Sequence, residues 1–215
     1  MHSILSYPNR GPWGKSSYPG NCSGFVIRDL IQHFKATHVA DPCEGSGTTK
    51  DVCAELHLPY WGSDLRKGFD LAELPVMAAA PFTPDLIILH PPYFKIVRYS
   101  GHVWGDAPHP RDLSHEEDWG EYLRRLHRMV GNCVGSLAPG GRLALIIGDV
   151  RQGGAYYSAQ AEVLHWHSPE RIDSVMIKAQ HHVRSDQTVY NGRLVRIMHE
   201  YVIVIRGREK TDDER

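Results

Sequence analysis

The sequence predicts an α/β domain with a mostly parallel central sheet and helices on both faces. Two observations predict it. Short apolar strand patterns alternate with segments whose apolar residues recur at helical spacing, the signature of strand–helix–strand units. Two polar corners, 41–47 and 90–93, also follow directly on apolar strands, and in parallel sheets ligands gather at the carboxyl ends of strands.

The elements follow in order. Residues 1–24 are rich in Gly, Pro, Ser, Asn and Tyr and read as an irregular segment wrapped on the domain. Phe25, Val26, Leu30, Ile31 and Phe34 mark a helix. Residues 38–41 read as a short buried strand, followed by a Gly- and Ser-rich turn and a helix over 48–56. The next strand is 60–63, ending at Asp64. Leu86–Leu89 is a strongly apolar strand cut off by His90-Pro91-Pro92-Tyr93. A polar stretch over 94–112 leads into a long helix, 119–137, whose stripe is Tyr122, Leu126, Met129, Val130, Cys133 and Leu137. Pro139-Gly140-Gly141 turns the chain into a strand over 142–147. A helix over 159–166 and two strands, 172–179 and 199–205, complete the pattern, with a polar loop over 181–193 between the strands. The domain therefore spans 25–206, and the charged residues 207–215 read as a frayed tail.

Composition narrows the function. The chain has 215 residues, 41% hydrophobic and 23% charged, which excludes a disordered or fibrous protein and suits one domain. Lys+Arg 24 against Asp+Glu 25 gives a formal charge of -1, so a nucleic-acid contact needs a local basic patch. The longest apolar runs fall far short of the ~20 residues that span a bilayer, so no membrane partner is expected. The N-terminus lacks an apolar signal-peptide core. Four cysteines, at 22, 43, 53 and 133, show no CxxC spacing, which argues for a reducing cytoplasmic setting without disulfides or zinc. His165 and His167, or His181 and His182, have no acid or Cys at ligand spacing, so no metal is expected. Arg124, Arg125 and Arg128 lie near Glu116, Glu117, Asp118 and Glu121 and read as helix-surface pairs.

The first motif is Asp41-Pro42-Cys43-Glu44-Gly45-Ser46-Gly47-Thr48-Thr49. Its glycines permit a tight turn and close approach to a ligand. The helix it opens offers unpaired N–H groups to a carboxylate or phosphate. Asp64 follows roughly 20 residues on, a placement suited to ribose hydroxyls. Thr48-Thr49 stands where a phosphate-binding loop would carry Lys, which argues against ATP or GTP. Alone, this turn fits a structural helix cap equally well. The second motif, His90-Pro91-Pro92-Tyr93, is a rigid ledge, because each proline fixes its own backbone and extends the residue before it. The His90 side chain and the carbonyl that follows it can accept hydrogen bonds from an amino group, and Tyr93 can stack on a planar ring.

Together the motifs resemble the amino-group DNA methyltransferases, which pair a D-P-x-x-G-S-G-T-T type cofactor loop with a [D/N/S]-P-P-[Y/F/W] motif. Gly11-Pro12-Trp13-Gly14, Tyr18-Pro19-Gly20-Asn21, Asp112-Leu113-Ser114, Ile147-Gly148-Asp149-Val150-Arg151 and His199-Glu200-Tyr201 are similar to segments of such enzymes. The likeness runs from about Gly11 to Arg206. It implies a Rossmann-like methyltransferase fold and S-adenosyl-L-methionine as cofactor. The acceptor would be the exocyclic amino group of a flipped-out DNA base, N6 of adenine ahead of N4 of cytosine. Asp41, Pro42, Cys43, Glu44, Gly45, Ser46, Gly47, Thr48 and Thr49 would hold the methionine part with Asn21, Asp64 the ribose, and Asp70 the region of the cofactor's adenine. His90, Pro91, Pro92 and Tyr93 would hold the target base.

The sequence departs from that pattern at His90, where the family carries Asp, Asn or Ser. Neutral imidazole has one acceptor nitrogen and imidazolium has none, so activity should fall as His90 protonates. The departure leaves room for an RNA or protein-amide acceptor, or for a relative that binds without turnover. For DNA contact, Lys95, Arg98 and Arg111 flank the second motif. From Arg171 to Lys210 there are eight basic and four acidic residues, with Arg184, Arg193 and Arg196 in or beside the polar loop. The chain is too short for a large separate recognition domain, which leaves open loose specificity, a short site, a homodimer or a separate specificity subunit.

Overall fold

A computed structural model describes residues 1–181 and 194–209. Its elements are β1 (Ile4–Leu5), α1 (Gly24–Phe34), β2 (Val39–Asp41), α2 (Thr48–Glu55), β3 (Tyr60–Gly62), β4 (Leu86–Leu89), α3 (Trp119–Val134), β5 (Arg142–Ile147), β6 (Val150–Gln152), β7 (Ala155–Tyr157), α4 (Ala159–His165), β8 (Ile172–Ala179) and β9 (His199–Arg206). Seven strands form one sheet in the order β1-β8-β9-β5-β4-β2-β3. Pairing is parallel except where β9 meets β5 and β8, which are antiparallel to it.

The apolar strands are continuous because both faces of the sheet are covered. Along β5, Leu143, Leu145 and Ile147 pack on one side with Tyr122, Leu126, Val130 and Cys133 of α3 and Val163 of α4. Ala144 and Ile146 pack on the other with Val26, Ile27, Leu30 and Ile31 of α1 and Val52 and Cys53 of α2. Strands β4 and β9 divide in the same way, Ile87, Leu89, Ile203 and Ile205 against Leu86, Ile88, Val202 and Val204. Each such fully buried Leu or Ile contributes roughly 1.5–3 kcal/mol of burial free energy.

Two elements were not anticipated. The segment 1–24 contains β1, which adds to the open edge of β8 through Ile4↔Ile177 and Leu5↔Lys178. Two residues carry no alternation to read, so this strand is defined by its neighbour. Strands β6 and β7 form a separate hairpin around Gly153 and Gly154, whose φ values of 59° and 82° give the doubly positive turn that matches strand twist. Helix α3 ends at Val134, short of the expected 137, where the Ser136 hydroxyl donates to the Asn132 carbonyl at 2.6 Å and accepts from Met77 N–H at 3.1 Å. Gly207 and Arg208, expected in the tail, are tied to the turn before β5, Gly207 N–H donating to Gly141 O and Gly140 N–H to Arg208 O. Among the described residues no helix is long and apolar enough to cross a membrane.

The topology also places the site. From β2 the chain goes outward to β3, whereas β4 leads to β5 on the opposite side, so β2 and β4 flank a point where strand order reverses. Parallel pairing sets Val39 against Leu86 and Ala40 against Ile87. Continuing that register puts Asp41 level with Ile88, one pleat short of His90, an axial offset of about 7 Å between adjacent strands.

Candidate active site

The corners after β2 and β4 line one cleft. Its walls include Asn21, Asp41, Pro42, Cys43, Glu44, Gly45, Ser46, Thr48, Thr49, Asp64 and Asp70, together with His90 and Pro92. Of the expected residues, Gly47, Pro91 and Tyr93 are not on its wall. Pro91 is buried beneath the corner.

The loop after β2 is held by its own first residue. Asp41 is buried and accepts from Cys43 N–H at 3.0 Å and from the Thr49 hydroxyl at 2.6 Å, spanning the turn from strand to helix. Burial pushes its carboxyl up to about 7, against those two hydrogen bonds. Gly45 and Gly47 have φ of 51° and 87°, conformations that L side chains adopt at a cost. Glu44 N–H donates to Ser63 O and Ser63 N–H to Asp41 O, so the loop is sewn to the end of β3. The Glu44 carboxylate binds Lys67 and accepts from Tyr60 Oη at 3.1 Å.

The N-terminal segment closes one side of the cleft. The Thr48 hydroxyl donates to Asn21 Oδ1, Asn21 Nδ2 donates to Lys15 O at 2.7 Å, and Gly14 N–H donates to Asp51 Oδ2 at 2.9 Å. Tyr18 and Tyr99 stack with ring centroids 6.0 Å apart, and Tyr99 Oη donates to Pro19 O at 3.2 Å. Arg66 lies over Tyr18 and donates to Gly45 O. These two tyrosines, together with Phe69, Arg111 and Trp104, line the cleft. Tyr18 belongs to a segment similar to one of the amino-group methyltransferases and Arg111 stands out for its charge, but Phe69, Tyr99 and Trp104 carry no local signal, because nothing short of the fold brings the segment at 18 beside the segment at 99.

Asp64 is the acidic residue most open to a ligand. Its Oδ2 lies 3.0 Å from Arg66 Nε, whereas Oδ1 is buried with no hydrogen-bond partner. Burial raises its carboxyl above the ordinary value, with Arg66 and Lys67 opposing. A buried acceptor left unmade is costly, and Asp64 lines the cleft, so its carboxylate suits a hydroxyl donor such as that of a ribose. Asp70 differs: Oδ1 accepts from Ala72 N–H at 3.0 Å and Oδ2 faces Arg111 Nη1 at 3.5 Å.

The corner after β4 is backed by side chains distant in sequence. Tyr122 Oη donates to Pro92 O at 2.9 Å, fixing the ledge from α3. Tyr93 packs its ring under Gly148, where an added Cβ would meet ring carbons at 2.8 and 2.9 Å. Its hydroxyl donates to Glu200 Oε2 at 2.7 Å and lies 2.8 Å from His90 Nε2. Burial lowers the His90 imidazole below its ordinary value, with the Glu200 charge pulling upward and Lys178 downward. The ring is therefore neutral at neutral pH.

The expected nucleic-acid contacts divide. Lys95 and Arg98 both bind Glu117, Lys95 Nζ at 2.6 Å from Oε2, and Arg98 Nη1 also donates to Ser114 O at 2.7 Å. Arg196 is exposed on the approach to β9. Arg184 and Arg193 lie outside the described residues.

No family model matches the sequence, and no curated protein matches it. Among solved structures the chain is similar to TrmN from Thermus thermophilus, with 16% identity over 88% of this chain and 50% of that one and a TM-score of 0.51. A candidate DNA modification methylase, also of Thermus thermophilus and solved with S-adenosyl-L-methionine, aligns at 21% identity over 82% of this chain and 59% of that one, TM-score 0.43. A SAM-dependent methyltransferase from Archaeoglobus fulgidus aligns at 12% identity over 86% and 95%, TM-score 0.45. The chain spans about half the length of TrmN. The sheet order, the reversed β9 and the likeness to TrmN give the chain a Rossmann-like α/β methyltransferase fold.

Proposed function

We propose that this chain is an S-adenosyl-L-methionine-dependent methyltransferase acting on the exocyclic amino group of a DNA base, N6 of adenine ahead of N4 of cytosine. One observation carries the reading: a glycine-bearing loop with an orphaned acidic oxygen beside it and a His-Pro-Pro corner line the same cleft at the strand-order reversal.

The residues present fit the cofactor. The turn 41–49, kept rigid by Asp41, would receive the amino acid part with Asn21, Asp64 Oδ1 would accept from a ribose hydroxyl, and Phe69 and Asp70 would border the adenine. When bound, the cofactor supplies an electrophilic sulfonium methyl group to the amino nitrogen. The chain does the rest. His90, which lines the cleft, accepts a hydrogen of the amino group, which favours a pyramidal nitrogen with its lone pair free of the ring. The two prolines and the Tyr122 bond hold the corner fixed, and alignment of the two partners supplies much of the rate. An amino group inside a duplex is out of reach, so the base must be extruded. Lys95 and Arg98 would meet phosphate by exchanging Glu117, whose side chain is 67% exposed.

The test is transfer of a labelled methyl group to unmodified duplex DNA, RNA and protein in parallel, with the product nucleoside identified by mass spectrometry. N6-methyladenine or N4-methylcytosine from DNA is expected. Label confined to RNA or protein, or binding without transfer to any polymer, overturns the assignment.

A further inference from the structure

Behind the His-Pro-Pro corner, two side chains of the sheet connect to His90 through Tyr93. Lys178 on β8 and Glu200 on β9 are register partners, 8% and 4% exposed, and Lys178 Nζ binds Glu200 Oε1. The other oxygen, Oε2, accepts from Tyr93 Oη at 2.7 Å and from Gln180 Nε2 at 3.3 Å. The Tyr93 oxygen is in turn 2.8 Å from His90 Nε2. Neither Lys178, Glu200 nor Tyr93 lines the cleft, so ligand binding does not account for this buried ion pair. A buried pair is weak evidence of stability, which leaves its position behind His90 to be explained.

Counting protons fixes the direction of every bond in the line. Glu200, ionised against Lys178, can only accept. Tyr93 has one hydroxyl proton, and Glu200 takes it. The Tyr93 oxygen can then serve His90 only as acceptor, so the ring hydrogen sits on Nε2. In a neutral imidazole the lone pair is then on Nδ1, and His90 lines the cleft.

We propose that Glu200, acting through Tyr93, is a positioning residue that locks His90 in the Nε2–H tautomer. Nδ1 is thereby the acceptor toward the substrate amino group and takes the proton that group must lose. The inference rests on the amino-methyl transfer reading of the cleft. Its proton balance is closed. The methylated nitrogen carries one hydrogen too many, its N–H bond breaks as an N–H bond forms on Nδ1, and solvent later collects the proton. The imidazolium formed meanwhile is stabilised through Tyr93 by Glu200, as a buried carboxylate stabilises the histidine of a hydrolase triad. The other groups acting on this line are Lys178 from β8, Cys22 and Arg10 from the N-terminal segment, and Tyr99 from the loop after the corner. Burial alone would raise the Glu200 carboxyl, but Lys178, His90 and the bond from Tyr93 together hold it below its ordinary value.

The experiment is long-range 1H–15N NMR on the full chain labelled at histidine, with the His90 signals assigned by their loss in His90→Asn. Wild type is expected to show Nε2–H at pH 8. The Lys178→Met/Glu200→Leu double variant removes the carboxylate without orphaning a charge. Tyr93 is then released to donate to Nε2, and His90 should switch to Nδ1–H. Tyr93→Phe, which leaves the ion pair whole, should give a mixture of tautomers. In both variants kcat should fall about 10²-fold while KM for S-adenosyl-L-methionine stays within about twofold, the size expected of a lost acid–base function. A wild-type His90 that is Nδ1–H or charged overturns the proposal, as does an Nε2–H signal unchanged in both variants or an unchanged kcat after the switch. If no polymer accepts methyl groups while the tautomer behaves as described, the transfer reading fails and the lock stands as a structural fact.

Discussion

At the residue scale the proposed chemistry turns on His90. Carboxylate, amide and hydroxyl side chains offer an acceptor in any neutral-pH state, whereas imidazole does so only while unprotonated. Burial lowers the His90 pKa, so the acceptor is present through neutral pH and is lost as pH falls through a midpoint below the ordinary 6.5. The rate of transfer under saturating cofactor should be flat above that midpoint and drop roughly tenfold per pH unit beneath it. Removing Glu200, which raises the His90 pKa, should move the acid limb to still lower pH. A profile without an acid limb would remove His90 from the reaction. Asp64 makes a separate prediction. Asp64→Ala takes away the orphaned acceptor and should weaken S-adenosyl-L-methionine binding, read by calorimetry, about 10- to 100-fold, the worth of hydrogen bonds to a charged group. Unchanged affinity would place the ribose elsewhere.

His90 was visible in the sequence because it closes an apolar strand, and Asp64 because of its spacing from the glycine turn. The partners that define His90 were not. His199-Glu200-Tyr201 stood out only as a family-like tripeptide, and Glu200 is 107 residues from the Tyr93 it binds. That separation is bridged by the antiparallel return of β9 beside β5, which local patterning does not encode. Asp70 shows the converse. Its position was legible, but its engagement with Ala72 and Arg111 depends on a turn and a loop 41 residues apart.

At the scale of elements, the strands buried on both faces were readable from their unbroken apolar runs, as in Leu86–Leu89 and Leu143–Ile147. Helix α3 was readable from its stripe, and its start is fixed by Asp118, which accepts from Glu121 N–H at 2.8 Å. What escaped was short or non-local. Strand β1 has two residues, and the β6–β7 hairpin follows β5 so closely that its Gly-Gly turn gives no separate signal. On the proposed reaction the end of β5 also carries a constraint. Gly148 leaves room for the Tyr93 ring, and Gly148→Ala would press a methyl group into it at 2.8 Å. That substitution should displace Tyr93 from Glu200 and His90 and slow methyl transfer about tenfold or more, as loss of an oriented acceptor does. Cofactor affinity, measured on the same variant, should be unchanged, since Tyr93 is not on the cleft wall. A full-speed Gly148→Ala enzyme would show that the ring can move without consequence.

For the whole molecule, the sheet order converts two motifs 49 residues apart, counted from Asp41 to His90, into neighbours. It brings a loop that fits a nucleoside-bearing donor beside a corner that fits an amino acceptor, and joins the second to a buried ion pair on the far strands. The N-terminal segment, tied to Thr48 and stacked through Tyr18 on Tyr99, connects both corners across the cleft. Donor binding and acceptor activation therefore reside in two corners and should fail independently. The most direct measurement is a single turnover: the chain preloaded with methyl-labelled S-adenosyl-L-methionine is mixed with unmodified duplex DNA, for wild type and His90→Ala. Wild type should place label on a base amino nitrogen, and His90→Ala should bind the cofactor with wild-type affinity yet transfer at least about 10²-fold more slowly. Equal transfer by both proteins, or cofactor binding lost together with His90, would contradict the account.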